Sequence, residues 1–472
     1  MGRLSHTQNL DLWMNGQHVG VWSRRAGKET LDYSQQWFEA PEGRPLSLSL
    51  PFQPGNLAHQ GDTVKSYFAN LLPDSQPILQ RLAMRFKTAS TDAFDLLAEI
   101  GRDCVGALQI VPQGQDPGDP FVVEGVPLNE AGVAAEIEAA VTPGNRAGQQ
   151  GGEGEFRISI AGAQEKTALL KHGRKWLRPT GATPTTHILK LPLGLVGNQR
   201  LDLRDSVENE WLCAQILAAY GLPVANCAVQ QFQETKVLVV ERFDRRWTPD
   251  KTKLLRLPQE DMCQALGVSP LLKYEADGGP GVSQILKILE QSEARDQDRE
   301  NFFRSQVLFW MLCAPDGHAK NFSIQLRRRG AFVMTPLYDV LSAYPMLGKG
   351  ANQINPFKVK LAMSVRATNT HWKMRDVLRR HWNVMAQRNG LGPSAEHILE
   401  DLIAKTPQVI ARVAAKLPAG FPERVSSSIF DGLQDAAVKR TKVDTFVLVK
   451  LFLLLPPGRA IHENCFKSTT YH

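Results

Sequence analysis

The chain is poor in cysteine and has no long apolar run. Its 472 residues include six cysteines, scattered without a C-x-x-C pair or the Cys/His spacing of a zinc site. No charged-then-apolar signal segment opens the sequence, and no window reaches the roughly 18–20 apolar residues that a spanning helix needs. The nearest is Phe446 to Leu455, which is short and contains Lys450. We therefore expect a cytoplasmic protein without a membrane segment.

The charge balance excludes little. Lys and Arg number 55 against 48 Asp and Glu, which gives a net charge of +7. Over this length that excess permits a nucleic-acid partner without requiring one, and a slightly basic enzyme is the better interpretation. The length predicts two or three domains with ample core.

The most informative stretch runs from Asp316 to Asn321, with Asp339 a short way behind. An Asp and an Asn five residues apart, then a short hairpin and a second Asp, is typical of phosphoryl-transfer enzymes. Asp316 would orient the attacking hydroxyl and accept its proton, while Asn321 and Asp339 would hold Mg²⁺ against the phosphates of ATP. The alternative is a loop in which Asp and Asn only cap the backbone, because these residues are common in loops.

A candidate phosphate-binding loop precedes this stretch in the sequence. Residues 156–170 predict a strand, a tight loop of small residues and a second strand. Ala161, Gly162 and Ala163 have little side chain to keep a ligand from the backbone, so their N–H groups could cradle phosphate oxygens. A plain hairpin turn is the alternative, since the Walker A pattern is absent.

Lys190 lies inside an apolar strand, His187 to Pro192, and a helix is predicted from Val207 to Tyr220. In kinases a strand lysine holds the nucleotide's phosphates and pairs with a helix carboxylate, which favours Glu210 as the partner of Lys190. The alternatives are an edge-strand lysine and an acidic first turn that complements the helix dipole.

The strand that follows, Lys236 to Val240, leads into Glu241, Arg242 and Phe243. This is where kinases place adenine between the lobes, so we expect the backbone of these three residues to contact the base. Beyond it the chain becomes helical, and a helix from Phe302 to Cys313 runs directly into Asp316.

Other predicted elements lie outside this site. At the N-terminus we expect a hairpin turning at Asn15-Gly16, a strand from Leu46 to Pro51, and helices from Ile78 to Phe86 and from Ala93 to Ile100. Near the C-terminus we expect helices from Trp372 to Leu417. These carry a basic cluster, which is either a solvated face or a contact to a phosphate backbone; it comprises Lys373, Arg375, Arg379, Arg380 and His381.

Seven segments in order closely resemble the HipA family of serine/threonine kinase toxins from HipBA toxin–antitoxin modules. They are SIAGAQEKT at 159–167, THILKLP at 186–192, ERFDRR at 241–246, LPQED at 257–261, DGGPG at 277–281, DGHAKNFS at 316–323 and YD at 338–339. The match reaches about residue 440, and the tail from 442 has no counterpart that we recognise.

The resemblance implies an α+β, two-lobed, protein-kinase-like fold related to phosphoinositide kinases. It implies an N-terminal subdomain at 1–112, the kinase N-lobe at 113–245, a helical C-lobe at 246–441 and a tail at 442–472. Asp316 matches the catalytic base, and Asn321 and Asp339 match the Mg²⁺ ligands. The implied ATP-binding positions are Ala161, Gly162, Ala163, Gln164, Glu165, Lys166, Lys190, Glu241, Arg242, Phe243, His318, Ala319, Lys320, Asn321 and Asp339.

The resemblance also implies partners. Family members phosphorylate an aminoacyl-tRNA synthetase, typically the glutamyl enzyme, and so arrest translation and induce persistence. Ser159 matches an autophosphorylated serine whose modification inactivates the kinase. A HipB antitoxin dimer would bind this chain together with operator DNA. The family's DNA-facing basic positions fall near Gln387, Arg388 and Gly390, where only one residue is basic, so direct DNA contact there is in doubt.

Two other interpretations stay open. The chain could be a catalytically silent corepressor that binds the antitoxin–DNA complex, although the intact Asp316, Asn321 and Asp339 argue against that. A metal-dependent hydrolase built on Asp316, His318 and Asp339 is less favoured, because it lacks a further shell of carboxylates.

Overall fold

Residues 7–112 build a five-stranded antiparallel sheet with helices on it. The structure is a computed structural model that describes residues 7–141, 164–197 and 200–441; we call residues 7–112 the N-terminal unit. Asn15 and Gly16 both have positive φ, as a tight hairpin requires, and the predicted turn is confirmed. The strands, in the spatial order β4-β3-β2-β1-β5, are β1 (Gln8–Met14), β2 (Gln17–Arg25), β3 (Lys28–Tyr33), β4 (His59–Gln60) and β5 (Leu108–Pro112).

Four helices complete this unit, and the two that were predicted are confirmed. They are α1 (Gln35–Glu39), α2 (Asp62–Ala69), α3 (Gln76–Phe86) and α4 (Ala93–Ile100). The predicted strand from Leu46 to Pro51 is wrong, because the chain turns there. The Leu46 N–H donates to the Tyr33 hydroxyl at 2.8 Å, and that hydroxyl donates to the Leu50 carbonyl at 2.7 Å. The Tyr33 side chain thus bonds an N–H and a carbonyl that a neighbouring strand would bond if this stretch were part of a sheet.

The next part of the chain forms a six-stranded antiparallel sheet in the order β12-β13-β9-β7-β8-β6. Its elements are β6 (Gly125–Leu128), α5 (Glu130–Val141), β7 (Lys166–His172), β8 (Lys175–Pro179), β9 (His187–Lys190), the separate pair β10 (Gly194–Val196) and β11 (Leu201–Leu203), α6 (Ser206–Ala219), β12 (Cys227–Phe232) and β13 (Thr235–Glu241).

Alternation along β13 explains how two helices cover this sheet. Val237 and Val239 pack in one apolar cluster with Val133 of α5, whereas Leu238 and Val240 pack in another with Leu212 of α6. Since successive side chains of a strand point to opposite faces, α5 and α6 lie on opposite sides of the sheet. That arrangement brings α6 beside the end of β9, where Lys190 lies.

The remaining part is mostly helical and has a core centred on α9. Its elements are β14 (Arg245–Trp247), β15 (Leu254–Arg256), β16 (Gln259–Asp261), α7 (Met262–Ala265), α8 (Val282–Leu289), α9 (Arg295–Met311), β17 (Ser323–Leu326), β18 (Phe332–Met334), β19 (Lys360–Arg366), β20 (Thr370–Lys373), α10 (Arg379–Arg388), α11 (Glu396–Ala414) and α12 (Glu423–Thr441). The buried Phe302, Val307 and Trp310 place α9 at the centre of this core.

One prediction for this part is wrong. The stretch from Trp372 begins as a strand, because His371 pairs with Val365 of β19, and helix α10 starts only at Arg379. Lys373 and Arg375 therefore do not share a helix face with Arg379, as the predicted basic cluster required.

A buried ionic cluster joins the N-terminal unit to the rest of the protein. The carboxylate of Asp103 lies 2.8 Å from Arg245, 3.3 Å from Arg242 and 3.5 Å from Arg256. Burial alone would raise the pKa of Asp103, but these three guanidinium groups lower it overall. Asp244 adds a second carboxylate, 2.7 Å from Arg242. The cluster fixes the N-terminal unit directly beside the end of β13.

In the parts of the chain that the structure describes, no helix is both long enough and apolar enough to cross a lipid bilayer.

Candidate active site

The loop after α9 brings the predicted catalytic groups together. The Asn321 side-chain amide donates to the Asp316 carbonyl at 2.8 Å and to the Asp339 carbonyl at 3.5 Å. Strands β17 and β18 form the predicted hairpin between Asn321 and Asp339. Because the amide nitrogen is engaged with these carbonyls, the amide oxygen of Asn321 is the atom left to bind a cation. The sequence spacing thus corresponds to one compact site.

Asp339 occupies an unusual backbone position. Its φ is +61°, in the left-handed region that residues other than glycine seldom adopt. Such conformations cluster at functional sites. Its side chain remains one-third exposed, so a ligand in the cleft can reach it. Although burial acts to raise the pKa of Asp339, Lys190 and Lys166 lower it to about 2, which keeps the carboxylate ionised.

Lys190 is bonded to two carboxylates, of which Glu210 was expected and Asp339 was not. Its ammonium donates to Glu210 of α6 at 2.6 Å and to Asp339 at 2.9 Å. The expected contact between Lys190 and Glu210 is therefore present. Burial disfavours the charge, but Asp339 and Glu210 raise the pKa of Lys190, so it stays a cation. A fixed cation next to the predicted metal-binding carboxylate suits a site for phosphate groups.

The described end of the predicted phosphate loop lies at the same place. Lys166 opens β7 directly opposite Lys190 in the sheet. Burial and the neighbouring Lys190 lower the pKa of Lys166 to about 8. Gln164 donates to the Leu191 carbonyl at 2.5 Å, and Glu165 forms an ion pair with Arg81 of α3. Ser159, Ala161, Gly162 and Ala163 lie outside the described residues, as does Phe446 to Leu455.

The expected adenine contact needs correction at two of its backbone N–H groups, while a contact through the backbone carbonyls stays a prediction. The backbone N–H of Glu241 donates to the Asn226 carbonyl at 2.8 Å, and that of Arg242 donates to the Thr186 carbonyl at 2.9 Å. Neither N–H can therefore bind a base. Of the three predicted residues only Phe243 keeps its N–H without an acceptor among the described residues. Its half-buried ring lies 5.8 Å from the ring of Tyr338.

Three further predicted ATP-binding positions, His318, Ala319 and Lys320, lie within the loop itself. Lys320 does not fit the predicted role of an ATP ligand. Its buried ammonium donates to Asn70 Oδ1 at 2.8 Å and to Asp261 at 3.0 Å, so it bonds protein groups and not a cofactor. The Ala319 N–H donates to the Lys273 carbonyl at 3.2 Å. His318 is buried, burial lowers its pKa, and its Nδ1 has no hydrogen-bond partner in the described structure.

Sequence reasoning missed Tyr274. Its hydroxyl donates to Asp316 Oδ1 at 2.6 Å, and its ring packs edge-on against His318 at 4.9 Å. Tyr274 is 42 residues before Asp316 in the chain, with no spacing rule to connect them. Only the folded chain brings them together.

Tyr274 also lines a groove of about 370 Å³ next to the Asp316 loop, together with Pro315, Leu361 and Trp372.

Two of the basic positions considered for DNA contact bond other groups of the protein. Arg379 forms ion pairs with Glu396 and Glu400, and Arg388 donates to the Ala367 carbonyl. The Arg379 side chain is largely buried by its ion pairs, which argues against direct DNA binding by that residue, whereas Arg388 is exposed at the surface.

The donor set suits Mg²⁺ bound with a phosphate ligand. In the described ranges no cluster of three or more His, Cys, Asp or Glu residues could enclose a metal ion on its own. Mg²⁺ commonly takes one or two protein oxygens and completes its shell with water and substrate phosphates. The carboxylate of Asp339 and the amide oxygen of Asn321 meet that requirement.

A sheet lobe with a Lys–Glu pair, joined to a helical lobe with an Asp-x-x-x-x-Asn loop and a second Asp, defines a protein-kinase-like phosphotransferase. The family model described as HipA-like C-terminal domain matches residues 158–410, and the one described as HipA N-terminal domain matches residues 10–111. The chain belongs to the HipA family, and its enzyme class is serine/threonine protein kinase.

Individual relatives agree with this assignment. The putative kinase Y4mE of Sinorhizobium fredii is 32% identical over 413 residues, which cover 86% of this chain and 91% of the relative. The serine/threonine-protein kinase toxin HipA of Shewanella oneidensis is 25% identical over 429 residues, covering 87% and 90%. Among solved structures, HipA in the Shewanella oneidensis MR-1 complex of HipA, HipB and operator DNA has a TM-score of 0.73 at 23% identity, covering 92% of this chain and 97% of that one. This neighbour confirms the two-lobed kinase-like α+β fold.

Proposed function

We propose that the chain is an ATP- and Mg²⁺-dependent protein kinase that acts as the toxin of a toxin–antitoxin pair. The observation that carries the proposal is the Lys190–Asp339–Asn321 constellation, a buried cation beside two oxygen ligands, next to Asp316 in the loop after α9. Each group has the residue type that phosphoryl transfer requires at that place.

Each residue would have a defined role. Lys190 and Lys166 would bind phosphate oxygens of ATP, and Glu210 would hold Lys190 in position. Asp339 and Asn321 would hold Mg²⁺, which would neutralise charge on the phosphates. The ring and N–H of Phe243 would contact the adenine. Asp316 would accept a hydrogen bond from the acceptor hydroxyl and take its proton as phosphate transfers.

The substrate and partners are proposed from the family. The acceptor would be a serine or threonine of an aminoacyl-tRNA synthetase, with the glutamyl enzyme as the first candidate. Ser159 would be an autophosphorylation site, since about two added negative charges beside the phosphate loop would repel ATP. A HipB-type antitoxin dimer would bind the chain at operator DNA; the Shewanella oneidensis complex supports this arrangement.

The test is phosphate transfer from radiolabelled ATP by the purified chain with Mg²⁺, with and without glutamyl-tRNA synthetase. Mass spectrometry first establishes that Ser159 is unmodified. Label on the synthetase supports the toxin-kinase proposal. Label only on the chain, lost in Ser159→Ala, keeps the kinase and leads to a search for another acceptor. Absence of label would overturn the proposal in favour of a silent corepressor, which a gel shift with antitoxin and operator DNA would detect.

Asp316→Asn provides the sharpest variant. Because it removes the proton acceptor while keeping the side-chain shape, we expect phosphate transfer to fall by about 10²–10³-fold. Asp296→Asn is the matched control, since Asp296 lies on α9 with its side chain 99% exposed. Wild-type turnover in Asp316→Asn would contradict the assignment of the base.

A further inference from the structure

The connection between α2 and α3 of the N-terminal unit reaches the catalytic loop. Asp74 in this connection is nearly buried, and its carboxylate lies 3.0 Å from Lys273 and 3.7 Å from Lys320. Asn70, four residues earlier, accepts hydrogen bonds from Lys320 through both its side-chain and its main-chain oxygen. An element far from the kinase lobes in sequence thus contacts the loop that carries the base.

Both lysines belong to segments that contact or contain Asp316. Lys320 belongs to the same loop, four residues after Asp316. Lys273 precedes Tyr274, whose hydroxyl donates to Asp316 Oδ1 at 2.6 Å, and the Lys273 carbonyl accepts the Ala319 N–H at 3.2 Å. The carboxylate of Asp74 therefore joins two segments that hold the base. The segment of Lys320 is the loop that contains Asp316, and the segment of Lys273 bonds the Asp316 side chain through Tyr274.

We infer that Asp74 is a positioning residue for phosphate transfer, through which the N-terminal unit sets the orientation of Asp316. The inference rests on the proposed kinase function. Lys320 has a second carboxylate in Asp261, whereas Asp74 is the carboxylate that pairs with Lys273 in the described structure. Loss of the Asp74 charge would leave Lys273, whose side chain is only 15% exposed, without its anion. The adjoining Tyr274 would then no longer be held in place.

The test compares Asp74→Asn with the wild-type chain in steady-state phosphate transfer. Rates are expressed per site that binds ATP, so that unfolded molecules are not counted. Because misplacement of a reacting group by about 1 Å costs up to 10²-fold, we expect kcat to fall about 10- to 100-fold. The KM for ATP should stay within about twofold, since Asp74 contacts no predicted ATP ligand other than Lys320, which bonds protein groups. Asp74→Glu, which keeps the charge, should recover part of the loss.

Asp32→Asn is the matched control, because it makes the same chemical change at an exposed position of β3 in the same unit. A purely structural role for Asp74 would lower the fraction of ATP-binding sites and leave kcat per site unchanged, which would overturn the inference. A wild-type kcat in Asp74→Asn would do the same. If the wild-type chain transfers no phosphate, the proposed function fails and this inference with it; an active wild type with an unaffected variant rejects this inference alone.

Discussion

The buried position of Lys190 is better explained by function than by stability. This lysine is a buried cation between two carboxylates, Glu210 and Asp339. Burying a charge is unfavourable unless it is paired, and a buried ion pair often does little more than offset its own desolvation. The position of these ion pairs at the cleft, one of them with the predicted Mg²⁺ ligand Asp339, therefore favours a functional role for the lysine.

We predict that Lys190→Met lowers kcat/KM for ATP by at least about 10²-fold, because a positioned cation of this kind stabilises developing phosphate charge. The measurement is initial-rate phosphate transfer over a range of ATP concentrations. Lys175→Met, an exposed lysine on β8 of the same sheet, should keep the wild-type rate. An unaltered kcat/KM in Lys190→Met would remove Lys190 from the ATP site.

Among individual residues, the sequence predicts the site groups that lie close together along the chain. The Asp316 to Asn321 loop and Asp339 follow from spacing, and Lys190 with Glu210 follow from a strand and the next helix. It does not predict Tyr274, since its contact with Asp316 depends on the whole C-lobe fold. It also assigns Lys320 a ligand role, because one sequence cannot reveal that Asn70 and Asp261 surround the ammonium.

Helix α6 holds two parts of the candidate active site in place. Glu210 pairs with Lys190, and the neighbouring Asn209 exchanges two hydrogen bonds with Ser342. Asn209 donates to the Ser342 carbonyl at 2.8 Å and accepts its N–H at 2.9 Å. Since Ser342 is three residues after Asp339, the helix fixes both the strand lysine and the segment that carries the predicted metal-binding carboxylate.

We predict that Asn209→Ala destabilises the protein by about 1–3 kcal/mol, because it leaves two buried backbone groups unsatisfied. It should also slow phosphate transfer, because the segment after Asp339 loses its anchor. Denaturant unfolding and initial rates measure the two effects. Asn226→Ala, at an exposed site, is the control. Full stability with a full rate in Asn209→Ala would show that α6 does not hold this segment.

Elements with strong local signals are predicted well, and those decided by distant partners are not. The Asn15-Gly16 hairpin, α3 and α4 follow from turn and helix patterns. The Leu46 to Pro51 stretch alternates like a strand, yet the Tyr33 hydroxyl takes its backbone bonds. The Glu241 and Arg242 N–H groups are in turn taken by carbonyls of the neighbouring Asn226 and Thr186, which spacing alone could not show.

Glu260 makes the stability of the whole molecule depend on pH. It is fully buried in β16, where its Oε1 accepts the Leu48 N–H of the N-terminal unit at 2.9 Å. Burial raises its pKa from 4.5 to about 8. The folded protein therefore keeps the proton that the unfolded chain releases, so this contribution to stability is fully present below about pH 4.5 and is lost as pH rises through about 8.

We predict that the unfolding free energy of the wild type falls, relative to that of Glu260→Gln, by about 1.4 kcal/mol per pH unit between pH 5 and 8. Gln is neutral at every pH and keeps an acceptor for Leu48, so other titrations cancel in the difference. Urea unfolding at several pH values gives the measurement. The exposed Glu234→Gln should follow the wild type. Parallel curves for wild type and Glu260→Gln would show that Glu260 does not titrate in this range.

The buried cluster around Asp103 has a consequence for synthesis on the ribosome. Arg242, Arg245 and Arg256 are nearly inaccessible to solvent, and much of what neutralises them belongs to residues made more than 130 positions earlier. Domains commonly fold as they emerge, N-terminal first. The N-terminal unit can therefore present Asp103 before these arginines are translated. A nascent chain without a folded N-terminal unit would lack Asp103. It would then have to bury three guanidinium groups with Asp244 as the one remaining carboxylate of the described cluster.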